Sequence, residues 1–180
     1  MSFEPLVTLR LRLRLLEPRD AAALSAYRSD PDVARYQSWT TPFSPAAALE
    51  LIQSMRTRDI SDTGWTQIAV ASFETDALLG DIGFNRINPS SAEIGFTIKT
   101  AAQGLGLMRE ALEALFKNAA AGGVQRITAT TDVRNLASQR LLTRLGFTLE
   151  QVLKDSWLED GAYFDEYLYA VELQKTASRA

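Results

Sequence analysis

From Leu9 to Leu15, leucine at each odd position alternates with Arg10, Arg12 and Arg14. A period of two predicts a strand with one buried face, and the arginine side is expected to face solvent. Pro18 and Asp20 introduce a helix with Ala23, Leu24 and Tyr27 as candidate core contacts and Asp30-Pro31 as its stop. A loop carrying Trp39, Pro42 and Phe43 follows, and Ser44-Pro45 caps a second helix that runs to about Met55. Trp65 to Phe73 alternates and is rich in β-formers. Thr75-Asp76 turns the chain back into Leu78 to Ile87, and Asn88 to Ser91 turns it again into a strand from Ala92 to Lys99.

The second half changes period. From Gly104 to Ala121, Leu107, Ala111, Leu112, Leu115 and Phe116 fall at helical spacing, and Gly122-Gly123 ends the run. Val124 to Thr131 is an expected strand and Asn135 to Leu145 an expected helix closed by Gly146. Phe147 to Leu158 and Tyr163 to Leu173 form an expected final pair of strands, turned by Glu159-Asp160-Gly161. Antiparallel strands followed by strand-helix-strand-helix-strands predict a single mixed α/β domain over residues 1–180, with a core from about 8 to 174 and a short flexible tail at 175–180.

Composition narrows the chemistry. The 180 residues are 46% hydrophobic and 23% charged, the balance of an ordinary globular domain, and a net charge of −3 argues against a dedicated nucleic-acid binder. No apolar run approaches the ~20 residues that span a bilayer. Met1-Ser2-Phe3-Glu4-Pro5 lacks the basic and apolar regions of a signal peptide, so a cytoplasmic protein without a membrane partner is expected. Cysteine and histidine are both absent, which removes disulfides, thiol nucleophiles, the Ser-His-Asp triad and histidine zinc sites. No clustered Asp/Glu motif points to a metal. Any catalysis must run on carboxylates, hydroxyls and amides, a set suited to a substrate that arrives already activated.

Gln103-Gly104-Leu105-Gly106, between an expected strand and an expected helix, has the layout of a phosphate site. The first N–H groups of a helix lack internal partners, and glycines let backbone approach an anion. A dinucleotide fingerprint would need a third glycine where Arg109 stands, and a P-loop would need lysine and a hydroxyl after the second glycine. Spacing alone leaves a merely glycine-rich helix start open. Gly95 in the interior of the preceding strand marks a bulge or a close backbone approach. Ser138 shares a helical stripe with Leu141, Leu142 and Leu145, so its hydroxyl either bonds back to the preceding turn or faces a ligand channel beside Asn135.

Glu93-Ile94-Gly95-Phe96, then Gly104 to Ala111, Asn135-Leu136-Ala137-Ser138 and Leu145-Gly146-Phe147 resemble the GNAT superfamily of N-acetyltransferases, and more narrowly its ribosomal-protein N-acetyltransferase-like (RimJ/RimL-like) branch. Arg10 to Arg14 with Asp20 is similar to that branch's first strand, and Gly161, Asp165 and Tyr169 to its last hairpin. The resemblance implies a central, mostly antiparallel twisted sheet, splayed at the cofactor site and flanked by helices. It also implies transfer of an acetyl group from acetyl-CoA to a primary amine by direct attack through a tetrahedral intermediate. Cofactor contacts are then expected from Phe96, Thr97 and Ile98, from Gln103, Gly104, Leu105, Gly106, Leu107, Met108 and Arg109, and from Asn135 and Ser138.

Ser138 is expected to protonate the leaving thiolate and Glu93 to deprotonate the amine, with Asp81 and Asp132 as weaker bases and Asp165 as an orderer of the last hairpin. Trp39 and Phe43 fall where the family meets its acceptor. The chain departs from the family pattern at Ala101, where Gln or Arg opens the pyrophosphate motif, and at Leu142, where many relatives carry tyrosine. A protein N-terminal amine, a polyamine, an amino acid or an antibiotic all remain acceptors. A non-catalytic acyl-CoA sensor and an NAD- or ATP-binding protein remain rival classes. Monomer and homodimer stay equally open.

Overall fold

The computed structural model describes residues 3–159 and 161–173; the expected tail at 175–180 and Asp160 of the last turn lie outside them. Eight strands form one sheet: β1 (Leu6–Val7), β2 (Leu11–Leu15), β3 (Gly64–Ser72), β4 (Leu78–Asn88), β5 (Ser91–Ile98), β6 (Arg126–Asp132), β7 (Thr148–Glu159) and β8 (Ala162–Glu172). Their spatial order is β1-β2-β3-β4-β5-β6-β8-β7, antiparallel throughout except between β5 and β6. A parallel pair needs a crossover, and α4 (Leu107–Ala121) supplies it. The other helices are α1 (Ala21–Arg28), α2 (Pro31–Ala34), α3 (Pro45–Met55) and α5 (Leu136–Arg144). Among the described residues no helix is long and apolar enough to cross a membrane.

The apolar stripe of α4 packs on one face of the sheet: Ala111, Leu112 and Leu115 are fully buried against Leu11, Leu13, Ile68, Ile82, Phe84 and Ile127. On the other face a smaller cluster joins Leu24, Ala48 and Ile52 of α1 and α3 to Leu16, Ala69 and Leu78. Ser44 Oγ accepts from Ala47 N–H and Pro45 opens α3, as the sequence predicts.

Three expectations fail locally. Ala23 is exposed, and α1 buries Ala21, Leu24, Tyr27 and Arg28 instead. Asp30-Pro31 does not only stop α1; Asp30 caps α2 and Pro31 is its first residue. The arginine face of β2 is not solvated: Arg14 is 5% exposed, with paired bonds to Asp20 of 2.7 and 3.0 Å and another to Asp76 at 3.1 Å. Such charge burial is tolerated because two carboxylates take three of its bonds and the carbonyls of Leu15 and Asp76 take two more.

The feature that makes room for a site is the β5–β6 pair. Their ladder runs only from Ser91↔Arg126 to Glu93↔Thr128, while β6 stays paired to β8 along its whole length. From Ile94 to Ile98 the two parallel strands part.

Candidate active site

A cleft of about 440 Å³ opens where β5 leaves β6. Strand β5 contributes Phe96, Thr97 and Ile98 to it, and the turn into α4 contributes Gln103, Gly104, Gly106, Leu107, Met108 and Arg109. From α5 come Asn135 and Ser138. Three segments distant in sequence, each expected to face one ligand, therefore line one cleft. Leu105 is the exception, with its side chain 59% exposed and off the cleft, although its carbonyl accepts from Arg10 Nη1 at 2.9 Å.

The glycine loop has a conformational reason for both glycines. Gly104 and Gly106 have φ of 74° and 73°, the left-handed region that side chains resist. A Cβ on Gly104 would meet nothing within 4 Å, so conformation and not crowding selects glycine there. Gly106 is the N-cap of α4 and no side chain caps the helix; the first intrahelical bond runs from Glu110 N–H to the Gly106 carbonyl at 3.1 Å. The amides of Leu107, Met108 and Arg109 thus have no acceptor within the helix and carry the positive end of its dipole.

The loop is held from the side by Glu110. Its carboxylate accepts from Thr8 Oγ1 at 2.6 Å, Arg10 N–H at 2.9 Å and Arg10 Nε at 2.7 Å. Burial alone would raise the Glu110 pKa, but these bonds outweigh it and hold the carboxyl below its ordinary value. Arg10, expected to be a solvated strand residue, is therefore a tie between the β1–β2 turn and the loop.

Asn135 is the N-cap of α5 and accepts from Ser138 N–H at 3.2 Å through Oδ1. The Ser138 hydroxyl has no protein partner among the described residues, whereas Thr143 bonds back to the Gln139 carbonyl at 2.9 Å. The back-bonded alternative for Ser138 is not the one adopted. Leu142 is buried in the core and does not border the cleft.

A further stretch of the lining has no counterpart among the sequence expectations: Asp32, Val33, Tyr36 and Gln37, on α2 and the turn after it. Arg140 and Arg144 at the rim were also missed, although their spacing of four on one helix face was a readable signal. Neither makes an ion pair among the described residues, while Arg109 pairs with Glu113 at 2.8 Å. Arg134, outside the cleft lining, is bonded to Asp132 and lies 3.5 Å from the Phe164 ring centroid and 5.5 Å from that of Tyr36.

The carboxylates separate by role. Asp81 is buried and accepts from Tyr27 Oη, Arg28 Nη2 and Gln67 Nε2, so its lone pairs are committed. Asp132 is committed to Arg134, which overcomes the raising effect of burial and lowers its pKa. Asp165 binds Lys154 Nζ at 2.6 Å and Asp155 N–H at 3.1 Å, ordering the last hairpin. Glu93 lies outside the cleft wall, half-buried at the last β5–β6 pair, with only Asn85 Nδ2 near it at 3.4 Å. Trp39 and Phe43 pack around Arg28, whose guanidinium lies 4.4 and 5.1 Å from their ring centroids, and neither borders the cleft. Among the described residues no three His, Cys, Asp or Glu side chains group to hold a metal.

A family model described as the acetyltransferase (GNAT) domain matches residues 10–148. The uncharacterized N-acetyltransferase p20 of Bacillus licheniformis is 34% identical over 173 residues, covering 93% of this chain and 96% of its own. The ribosomal-protein-serine acetyltransferase of Escherichia coli (strain K12) is 40% identical over 101 residues, 54% of this chain and 56% of its own. A solved structure of RimL, a ribosomal α-N-protein acetyltransferase in complex with coenzyme A, superposes with a TM-score of 0.79 at 25% identity, covering 94% of this chain and 98% of that one. A match over most of the chain, on a sheet that parts beside an uncapped glycine-led helix, makes this protein a GNAT acetyltransferase related to the ribosomal-protein acetyltransferases.

Proposed function

We propose that the chain transfers the acetyl group of acetyl-CoA to a primary amine, with a protein N-terminal amine as acceptor. The observation that carries the donor half is the uncapped N-terminus of α4 behind two left-handed glycines, flush with a cleft at the parted strands. That cradle fits a pyrophosphate: amides without helix partners, a favourable dipole, and Arg140 and Arg144 at the rim without competing carboxylates. The family's side-chain anchor is replaced by Ala101, so backbone donors carry the anion. The acceptor half is supported by relatives named for ribosomal-protein acetylation.

Acetyl-CoA supplies a thioester that an amine attacks directly; the C–N bond forms to give a tetrahedral intermediate, and the C–S bond breaks as that intermediate collapses. Beyond Glu93 the β5 edge turned toward β6 has no ladder partner, leaving backbone N–H groups there to polarise the thioester carbonyl. Asn135 orients the pantetheine arm, and the unpartnered Ser138 hydroxyl donates a hydrogen bond to the departing thiolate, passing on its proton as it takes one up from solvent. Glu93 takes the amine's proton through water; Asp81 and Asp132 are already saturated.

Ser138→Ala tests this assignment. It is expected to lower kcat about 100-fold, the low end of proton-transfer effects, while leaving the Kd for CoA within about twofold. Thiol release and calorimetric CoA binding read the two quantities. An unchanged kcat would remove Ser138 from the reaction.

A further inference from the structure

Gly95 is a glycine that the fold itself does not require. It sits in the interior of β5, outside the positive-φ residues, and a Cβ built on it meets nothing within 4 Å. Gly83, its register partner, differs: a Cβ there would lie 3.0 Å from the Trp65 ring. A strand glycine costs stability, so one standing under open space points to something from outside the chain that approaches the backbone there.

Register defines what surrounds that space. Gln67, Gly83 and Gly95 form one row across β3, β4 and β5, facing away from α4. The neighbouring row is Trp65, Asn85 and Glu93; the row on the other side is Ala69, Asp81 and Thr97. Trp65, 44% exposed, covers Gly83 and closes the row at one end. At the other end β5 has just left β6, so the row opens onto the splay. The result is an uncovered, exposed backbone at Gly95, with Trp65 over Gly83 on one side, Glu93 and Thr97 two residues away on the same strand face and the parted strands on the other side. Glu93 makes no ion pair among the described residues and accepts only a long bond from Asn85 Nδ2 at 3.4 Å, so its carboxylate is open to a cation beside Gly95.

We infer that Gly95 is a specificity-determining residue: the first residue of a peptide acceptor lies across it on the sheet face opposite α4, its ammonium beside Glu93 and its α-carbon over the bare glycine backbone. This inference rests on the acetyltransferase reading and deepens it. The occupant is a peptide N-terminus because one carboxylate, a match for a single positive charge, stands beside one uncovered backbone residue and an exposed aromatic, which suits an α-ammonium with its α-carbon and the chain that follows.

Gly95→Val separates a ligand contact from a structural one. With open space above it, a β-branched residue in a strand is expected to leave the melting temperature equal or higher and the Kd for CoA unchanged. The KM for a peptide beginning with serine is expected to rise at least tenfold, with Gly95→Ala intermediate. An unchanged KM in Gly95→Val overturns the inference. So does a lowered melting temperature or a weakened CoA affinity, since the Cβ would then be meeting the protein. Turnover of free small amines but of no peptide would overturn the peptide occupant. Failure of the wild-type chain to bind CoA would defeat the acetyltransferase reading itself, an outcome distinct from all of these.

Discussion

Gly106→Val is expected to weaken CoA binding by at least about 100-fold. Its φ of 73° is reached by glycine without penalty and by a β-branched residue only under strain of about 1–2 kcal/mol, so the loop would relax to a different path into α4. That path is coupled to function because Gly106 is the N-cap, and its rotation redirects the amides of Leu107, Met108 and Arg109. Two charge-assisted bonds of about 1.5–3 kcal/mol each, lost together, exceed the ~2.7 kcal/mol that corresponds to 100-fold. The fold should suffer less, since the new Cβ lies 3.8 Å from the end of the flexible Arg10 side chain. Calorimetric titration with CoA beside a thermal melt measures both effects; wild-type affinity in Gly106→Val would contradict a backbone-borne phosphate site.

The second large effect is on stability. Asp81→Ala is expected to lower the melting temperature by roughly 10 °C, from a cost of about 3–5 kcal/mol for stranding a buried charge. Asp81 is 1% exposed and binds three donors on two sides of a helix–sheet seam: Tyr27 and Arg28 from α1 and Gln67 from β3. Arg28 already leaves its Nε buried without a partner and is enclosed by Trp39 and Phe43, so no water replaces the lost carboxylate easily. Burial, then the negative charge of Asp81, pushes the Tyr27 hydroxyl well above the ordinary tyrosine range, keeping it a donor at neutral pH. The seam also fixes α1, which leads into the α2 wall of the cleft. A melt within about 2 °C of wild type would show that the network is not a source of stability.

Elements with a strong local signature were legible in the sequence. The leucine alternation of β2 from Leu11 onward, the apolar stripe of α4 and the N-cap Ser44 each depend on neighbours a few residues away, and each lies where the pattern puts it, whereas Leu9 stands outside β2 and is 88% exposed. What failed depends on distant partners. Arg14 is buried because Asp76, brought alongside by the β2–β3 pairing and the β3–β4 turn, joins Asp20 in neutralising it, and no local pattern reports such a partner. Asp30-Pro31 has two local meanings, a stop and a start, and the four residues of α2 are too few to show a period. That short helix carries the missed cleft wall.

The site was partly legible in the same sense. The glycine loop was visible as a phosphate layout, but the parting of β5 from β6 came through family resemblance, since neither strand's residues announce it. Arg10 and Glu110 lie 100 residues apart, so the tie that steadies the loop was invisible until the sheet was assembled. Gly95 was noticed as an oddity in a strand; only the empty space above it gives that oddity a use.

Acetyl transfer from CoA to a peptide amine in the cleft at the parted strands is the proposed reaction. Incubating the wild-type chain with acetyl-CoA and a peptide with a free N-terminal serine, then following thiol release together with the peptide's mass, tests it most directly. One thiol is expected to be released for each peptide acetylated at its N-terminus. Bound CoA with no thiol release above hydrolysis on any amine offered would contradict it and leave an acyl-CoA-binding domain in its place.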